Sequence, residues 1–117
     1  MAPLEVFHNP ACSKSRGALA IVGAQGLEAS VTEYLQAPPD RATLARIVEV
    51  IDDEPAALVR KDKRFKDLGL VAADYLTEEQ VVELLLAHPE LMERPVVIVG
   101  DRGVIARPPE KLLDLLH

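Results

Sequence analysis

The sequence predicts an α/β domain: a mixed four-stranded sheet flanked by helices, with a helical insertion between the second and third strands. Two patterns carry most of that prediction. The β-prone runs Leu4–Phe7 and Glu28–Leu35 enclose a stretch with a helical apolar side, the order of a βαβ unit and therefore of a parallel strand pair. Much later, Pro95–Val99 and Val104–Ala106 flank Gly100-Asp101-Arg102-Gly103, which reads as a β-hairpin and adds antiparallel strands.

The elements follow in order. Leu4–Phe7 is a short strand, and Ser15–Ala24 a helix whose apolar side is Ala18, Leu19, Ile21 and Val22. Gly26 stands where a helix C-terminus favours positive φ. Glu28–Leu35 alternates, with Ala29, Val31 and Glu33 on one side and Ser30, Thr32 and Tyr34 on the other. Pro38-Pro39-Asp40 ends it and opens a helix in which Leu44, Ile47, Val48 and Ile51 keep the spacing of one buried face. The insertion continues with short helical pieces near Ala56–Val59 and Phe65–Leu68, the latter stopping at Gly69. Thr77-Glu78-Glu79-Gln80 has capping-box spacing ahead of Val81, Val82, Leu84, Leu85 and Leu86, a helix halted by His88-Pro89. Pro108-Pro109-Glu110 starts a last helix carrying Leu112, Leu113 and Leu116. This is the order of a thioredoxin-like fold. Arg94-Pro95 falls where such folds carry a cis-proline facing the thiol, so a cis bond at Pro95 is what the analogy implies.

At 117 residues the chain is expected to form a single domain, 1–117, large enough to bury one core without a metal or disulfide. Only 3% of residues are aromatic, so that core must be Leu, Val, Ile and Ala. One cysteine makes no internal disulfide, Met1–Phe7 lacks signal-peptide features, and no apolar run nears the roughly 20 residues that span a bilayer. A cytoplasmic protein with no membrane partner is expected. The net charge of −6 and the shortage of aromatic rings argue against a nucleic-acid partner. The cations concentrate in one block, Arg60, Lys61, Lys63, Arg64 and Lys66, whose pattern alone reads as a solvated face.

The lone cysteine, Cys12, lies at the junction between the first strand and the first helix. A helix N-terminus offers the positive end of the macrodipole and free N–H groups, which favour thiolate over thiol. Flanking Asn9, Pro10, Ser13 and Lys14 are poor core neighbours, so Cys12 reads as a nucleophile rather than a small buried hydrophobe. With Ser15 in a monothiol Cys12-Ser13-Lys14-Ser15 pattern, no second thiol can discharge an adduct. Turnover therefore requires an external thiol, whatever the substrate.

Several segments together resemble the glutaredoxin-dependent arsenate reductase family: His8-Asn9-Pro10-Ala11-Cys12-Ser13-Lys14-Ser15-Arg16, Tyr34-Leu35-Gln36-Ala37-Pro38-Pro39, Leu58-Val59-Arg60-Lys61, His88 through Val97, and Ala106-Arg107-Pro108-Pro109-Glu110. The resemblance runs nearly end to end, in the same order. It implies reduction of arsenate to arsenite through a Cys12 adduct. Glutathione would serve as co-substrate, glutaredoxin would resolve the mixed disulfide, and no cofactor would be tightly bound. It also implies that Arg60, Arg94 and Arg107 are oxyanion ligands. Taken singly, each reads as a surface ion-pair residue, although a guanidinium suits bidentate capture of a tetrahedral oxyanion. Arg94 and Arg107 each precede a proline at a strand boundary. The family assigns His8 to keeping the thiol ionised; the competing reading is a solvent-facing loop histidine. Ser15 reads as a donor to the thiolate or, preferably, as the helix N-cap. His88 and His117 look structural or incidental.

Rival functions are distinguishable. A phosphatase-like loop needs arginine at position 18, which is Ala18, and one cysteine with three scattered histidines has no zinc spacing. A glutathione-dependent thiol transferase or reductase of another substrate stays open. So does a non-enzymatic, redox-responsive regulator that binds RNA polymerase, although such regulators commonly carry a second cysteine where Ser15 stands.

Overall fold

A computed structural model of the chain describes residues 4–116; His117 and the first three residues lie outside them. β1 (Leu4–His8), α1 (Ser13–Ala24) and β2 (Ala29–Glu33) form the parallel βαβ unit, with Leu4 opposite Ala29 and His8 opposite Glu33. The insertion contains α2 (Arg41–Val50), α3 (Lys63–Asp67) and α4 (Glu78–Ala87), with 3₁₀ turns at Pro55–Leu58, Ala72–Asp74 and Pro89–Leu91. β3 (Val96–Val99) then pairs antiparallel with β1, and β4 (Arg102–Ile105) with β3, giving the mixed order β2-β1-β3-β4. The expected thioredoxin-like α/β architecture is the one observed.

Period-two alternation divides the core between the two sheet faces. Leu4, Val6, Val97 and Val104 pack on one side against Ala18 and Val22 of α1 and against Leu112 and Leu115. Phe7, Val96, Ile98 and Ile105 pack on the other against α2 and α4. The α2 face is Leu44, Ile47 and Val48, continued by Ile51 just past the helix, as the spacing predicts. Each such side chain contributes about 1.5–3 kcal/mol relative to an exposed position. The predicted capping box starts α4: Thr77 accepts from the Gln80 N–H, and Gln80 reaches back to the Thr77 N–H.

Three local expectations are corrected. β2 is a shorter edge strand than the expected Glu28–Leu35, covering Ala29–Glu33: Val31 is 45% exposed, and the buried anchor is Tyr34, just beyond the strand. The hairpin turn is only Gly100-Asp101, with Gly100 at φ +62°; Arg102 and Gly103 already belong to β4. Gly103 lets α2 come close, since a Cβ there would lie 3.0 Å from Val50 Cγ2. The last segment, Pro109–Leu116, is a 3₁₀ helix. Its three-residue period buries Leu112 with Leu115 and leaves Leu113 and Leu116 half-buried.

Candidate active site

The turn between β1 and α1 is tied by its own polar groups. Ala11 N–H donates to Asn9 Oδ1 (2.9 Å) and Cys12 N–H to the Asn9 carbonyl (3.0 Å), an Asx arrangement that folds the chain back. Asn9 N–H donates to Ser15 Oγ (3.3 Å), and Arg16 Nη1 to the Pro10 carbonyl (2.9 Å). Cys12 itself occupies the N-cap position, with extended backbone at φ −97° and ψ 124°. The helix therefore begins at Ser13, and the expected N-cap role of Ser15 is corrected. Ser15 is fully buried in the first turn, where its hydroxyl accepts from Asn9 and its backbone N–H supports the thiolate.

Cys12 is half-buried, and desolvation alone would raise its pKa. The Ser15 N–H, the Arg94 side chain and the Lys14 N–H outweigh that effect and hold the thiol at about 7. His8 is not among these groups. It is no solvent-facing loop residue either: it closes β1 at 6% exposure, with Nδ1 lacking a hydrogen-bond partner. Burial lowers its pKa, Glu33 opposes and Arg16 adds to the lowering, so neutral imidazole is favoured.

The three arginines are brought into one connected arrangement, which Arg94 joins to this thiol. Arg94 enters β3 through a cis bond to Pro95, and Arg107 leaves β4 through a cis bond to Pro108. Arg94 directs its side chain to Cys12, and its Nε is buried without a hydrogen-bond partner, a donor the site leaves unspent. Arg107 Nη1 donates to the Arg94 carbonyl (2.8 Å), and Arg107 Nε faces Glu93 Oε2 at 3.9 Å. Arg60 faces the other Glu93 oxygen at 3.7 Å and donates through Nε to Asp62 Oδ2 at 3.2 Å. Backbone bonds fix the segments that carry them: Arg60 N–H donates to the Leu91 carbonyl, and Glu93 N–H to that of Leu58.

Arg60, Lys61, Asp62, Glu93 and Arg107 line a cavity of about 220 Å³. The basic block of the sequence thus splits. Arg60 and Lys61 serve the cavity, whereas Lys63, Arg64 and Lys66 lie exposed on α3, two of them paired with Asp67 and Glu90. Sequence reasoning assigned no role to Tyr34, Asp62 or Glu93. Tyr34 is wholly buried and donates to the Met92 carbonyl at 3.4 Å; burial raises its pKa, while Arg94 and Arg60 draw it back. The signal for Glu93 was its place in Glu93-Arg94-Pro95, where an acid precedes a site arginine. Among the described residues no cluster of His, Cys, Asp and Glu is placed to hold a metal, and no helix is long and apolar enough to cross a membrane. The arrangement can present a thiolate to a tetrahedral anion held by guanidinium groups.

Comparison with known proteins identifies the family. The uncharacterized protein YfgD of Escherichia coli strain K12 is 36% identical over 115 residues, spanning 97% of this chain and 96% of that one. An arsenate reductase of Escherichia coli is 35% identical over 117 residues, spanning 99% of this chain and 82% of its own length. The solved structure of an arsenate reductase from Vibrio cholerae matches with a TM-score of 0.86 at 32% identity, covering 97% of each chain. The ArsC family model matches residues 7–115, a span that holds the cysteine turn and all three arginines. This chain belongs to the ArsC family.

Proposed function

We propose that this chain is an oxidoreductase that reduces arsenate to arsenite at Cys12, with glutathione and glutaredoxin supplying the electrons. The pairing of a Cys12 thiol held at about 7 with the Arg94 side chain carries the reading, because it sets a nucleophile beside a cationic hydrogen-bond donor for anions. The relatives named as arsenate reductases support arsenate as the substrate. Arg60, Arg94 and Arg107 bind and orient the oxyanion. The Cys12 thiolate attacks arsenic, an S–As bond forms, and one As–O bond breaks as that oxygen leaves, protonated, as water. Glutathione thiolate then attacks Cys12 Sγ. The new S–S bond forms as S–As breaks, and the bonding pair stays on arsenic, taking it from As(V) to As(III). A glutaredoxin thiol attacks the glutathione sulfur and frees Cys12. A cytoplasmic location follows from that donor pair, since the thiols must stay reduced.

The test couples NADPH oxidation to arsenate through glutathione, glutaredoxin and glutathione reductase, alongside mass spectrometry of the stalled protein. Arsenate-dependent turnover and a single glutathione adduct on Cys12 are expected. Sustained reduction by a thioredoxin system with glutathione and glutaredoxin both absent would overturn the donor assignment. Absence of any arsenate-dependent turnover would overturn the substrate.

A further inference from the structure

The cavity lined by Arg60, Lys61 and Arg107 also contains two acids, and the two are not equivalent. Asp62 spends both oxygens within the protein: Oδ1 accepts from the Phe65 N–H at 3.2 Å, starting α3, and Oδ2 from Arg60 Nε at 3.2 Å. Glu93 does not. Its oxygens stand 3.7 Å from Arg60 Nη1 and 3.9 Å from Arg107 Nε, both beyond hydrogen-bonding distance. The carboxylate therefore keeps its acceptor capacity while lying between the two guanidinium groups. Its side chain is only 24% exposed, so bulk water screens it poorly. Its backbone N–H is bonded to the Leu58 carbonyl at 2.7 Å, which fixes where the side chain departs.

An ionised carboxylate only accepts hydrogen bonds. At neutral pH arsenate and phosphate retain at least one hydroxyl, whereas sulfate is bare of protons and offers acceptors alone. We propose that Glu93 is a specificity-determining residue, which accepts a hydrogen bond from the hydroxyl of a protonated tetrahedral oxyanion and rejects oxyanions that carry no proton. This proposal rests on the reading of the cavity as the oxyanion site and adds which anions it takes. The arginines supply attraction to any anion, and the unspent Glu93 carboxylate supplies the discrimination by opposing a proton-free anion. Phosphate belongs to the accepted class, so the preference for arsenic over phosphorus arises at the sulfur–arsenic bond and not at Glu93.

The test is protection of Cys12 from iodoacetamide at pH 7 by inorganic phosphate or by sulfate at matched ionic strength, which requires no arsenate turnover. In the wild type, phosphate is expected to protect at about tenfold lower concentration than sulfate or better, the factor that one mismatched hydrogen-bonding group generates. Glu93→Gln presents an N–H donor in place of one acceptor, and should bring the two half-protecting concentrations together, chiefly by improving sulfate. Equal protection by the two anions in the wild type overturns the proposal without recourse to a variant. So does a folded Glu93→Gln protein that keeps the wild-type ratio. Discrimination that persists in a protein inactive towards arsenate would support Glu93 and sink the substrate assignment, so the two failures separate.

Discussion

Arg107 donates from Nη1 to the main-chain carbonyl of Arg94 across 2.8 Å. One site arginine thereby props the segment that presents another. The two residues are 13 positions apart in sequence, and β3 with β4 brings them side by side. The guanidinium of Arg94 is left to face Cys12, and Nε of Arg107 to face Glu93. Spending one N–H of Arg107 on the backbone fixes the geometry of both cations before substrate arrives, which is the preorganisation that electrostatic catalysis exploits.

Replacing Arg94 by Lys keeps a charge and loses the planar fork. A fall in kcat of about 10²–10³-fold is expected, comparable to removing one preorganised oxyanion donor. Steady-state kinetics of the folded variant check it, and near-wild-type kcat would remove Arg94 from direct contact with the oxyanion. Arg94→Ala should in addition move the Cys12 titration upward, because a donor to the thiolate is gone.

Alkylation of Cys12 by iodoacetamide should rise with pH through an inflection near 7. An inflection at or above roughly 8.5, the free-thiol value, would defeat the activation argument. The same shift has a sign in stability. A thiol whose folded pKa is depressed contributes stability that is full above the unfolded value and is lost as pH falls through the folded one. The stability difference between wild type and Cys12→Ser should therefore grow in favour of the wild type as pH rises from about 7 to roughly 8.5. Denaturant titrations at several pH values measure it, and Cys12→Ser should fold while losing all reduction.

Gly103→Ala probes the packing under the sheet. The added methyl would meet Val50 Cγ2 at 3.0 Å and Ile98 Cγ1 at 3.2 Å, with the Val97 carbonyl at 3.4 Å behind them. A loss of about 1–3 kcal/mol is expected for such overpacking, read as a lower urea midpoint with an unchanged m value. An unaltered midpoint would mean that α2 can retreat without cost.

The parts legible in the sequence are those governed by short-range rules. The α2 face at Leu44, Ile47 and Val48 follows helical spacing, and the Thr77–Gln80 box follows from orphan N–H groups at a helix start. The Leu112–Leu115 pair was missed because the apolar pattern there fits more than one helical period, and contacts with α1 and β4 select the tighter one. Which side of β2 is buried is not legible, because an edge strand and an inner strand share the same alternation; only the strand order tells them apart. The cysteine turn and the arginines were legible as motifs. The place of Glu93 was not, because an acid beside an arginine carries no local sign of whether its oxygens are spent. That depends on the bonds between the Leu58–Arg60 and Leu91–Glu93 segments, which are remote in sequence.

The groups that lower the Cys12 pKa belong to the folded chain alone. The Ser15 and Lys14 N–H groups are aimed at sulfur only once α1 exists, and Arg94 reaches it only once β3 is laid beside β1. A nascent or unfolded chain therefore carries an ordinary thiol, mostly protonated at neutral pH and slow towards electrophiles and disulfides. Reactivity rises as those contacts form, so the nucleophile is chemically quiet in the unfolded chain and its alkylation rate reports assembly of α1 and β3 around it.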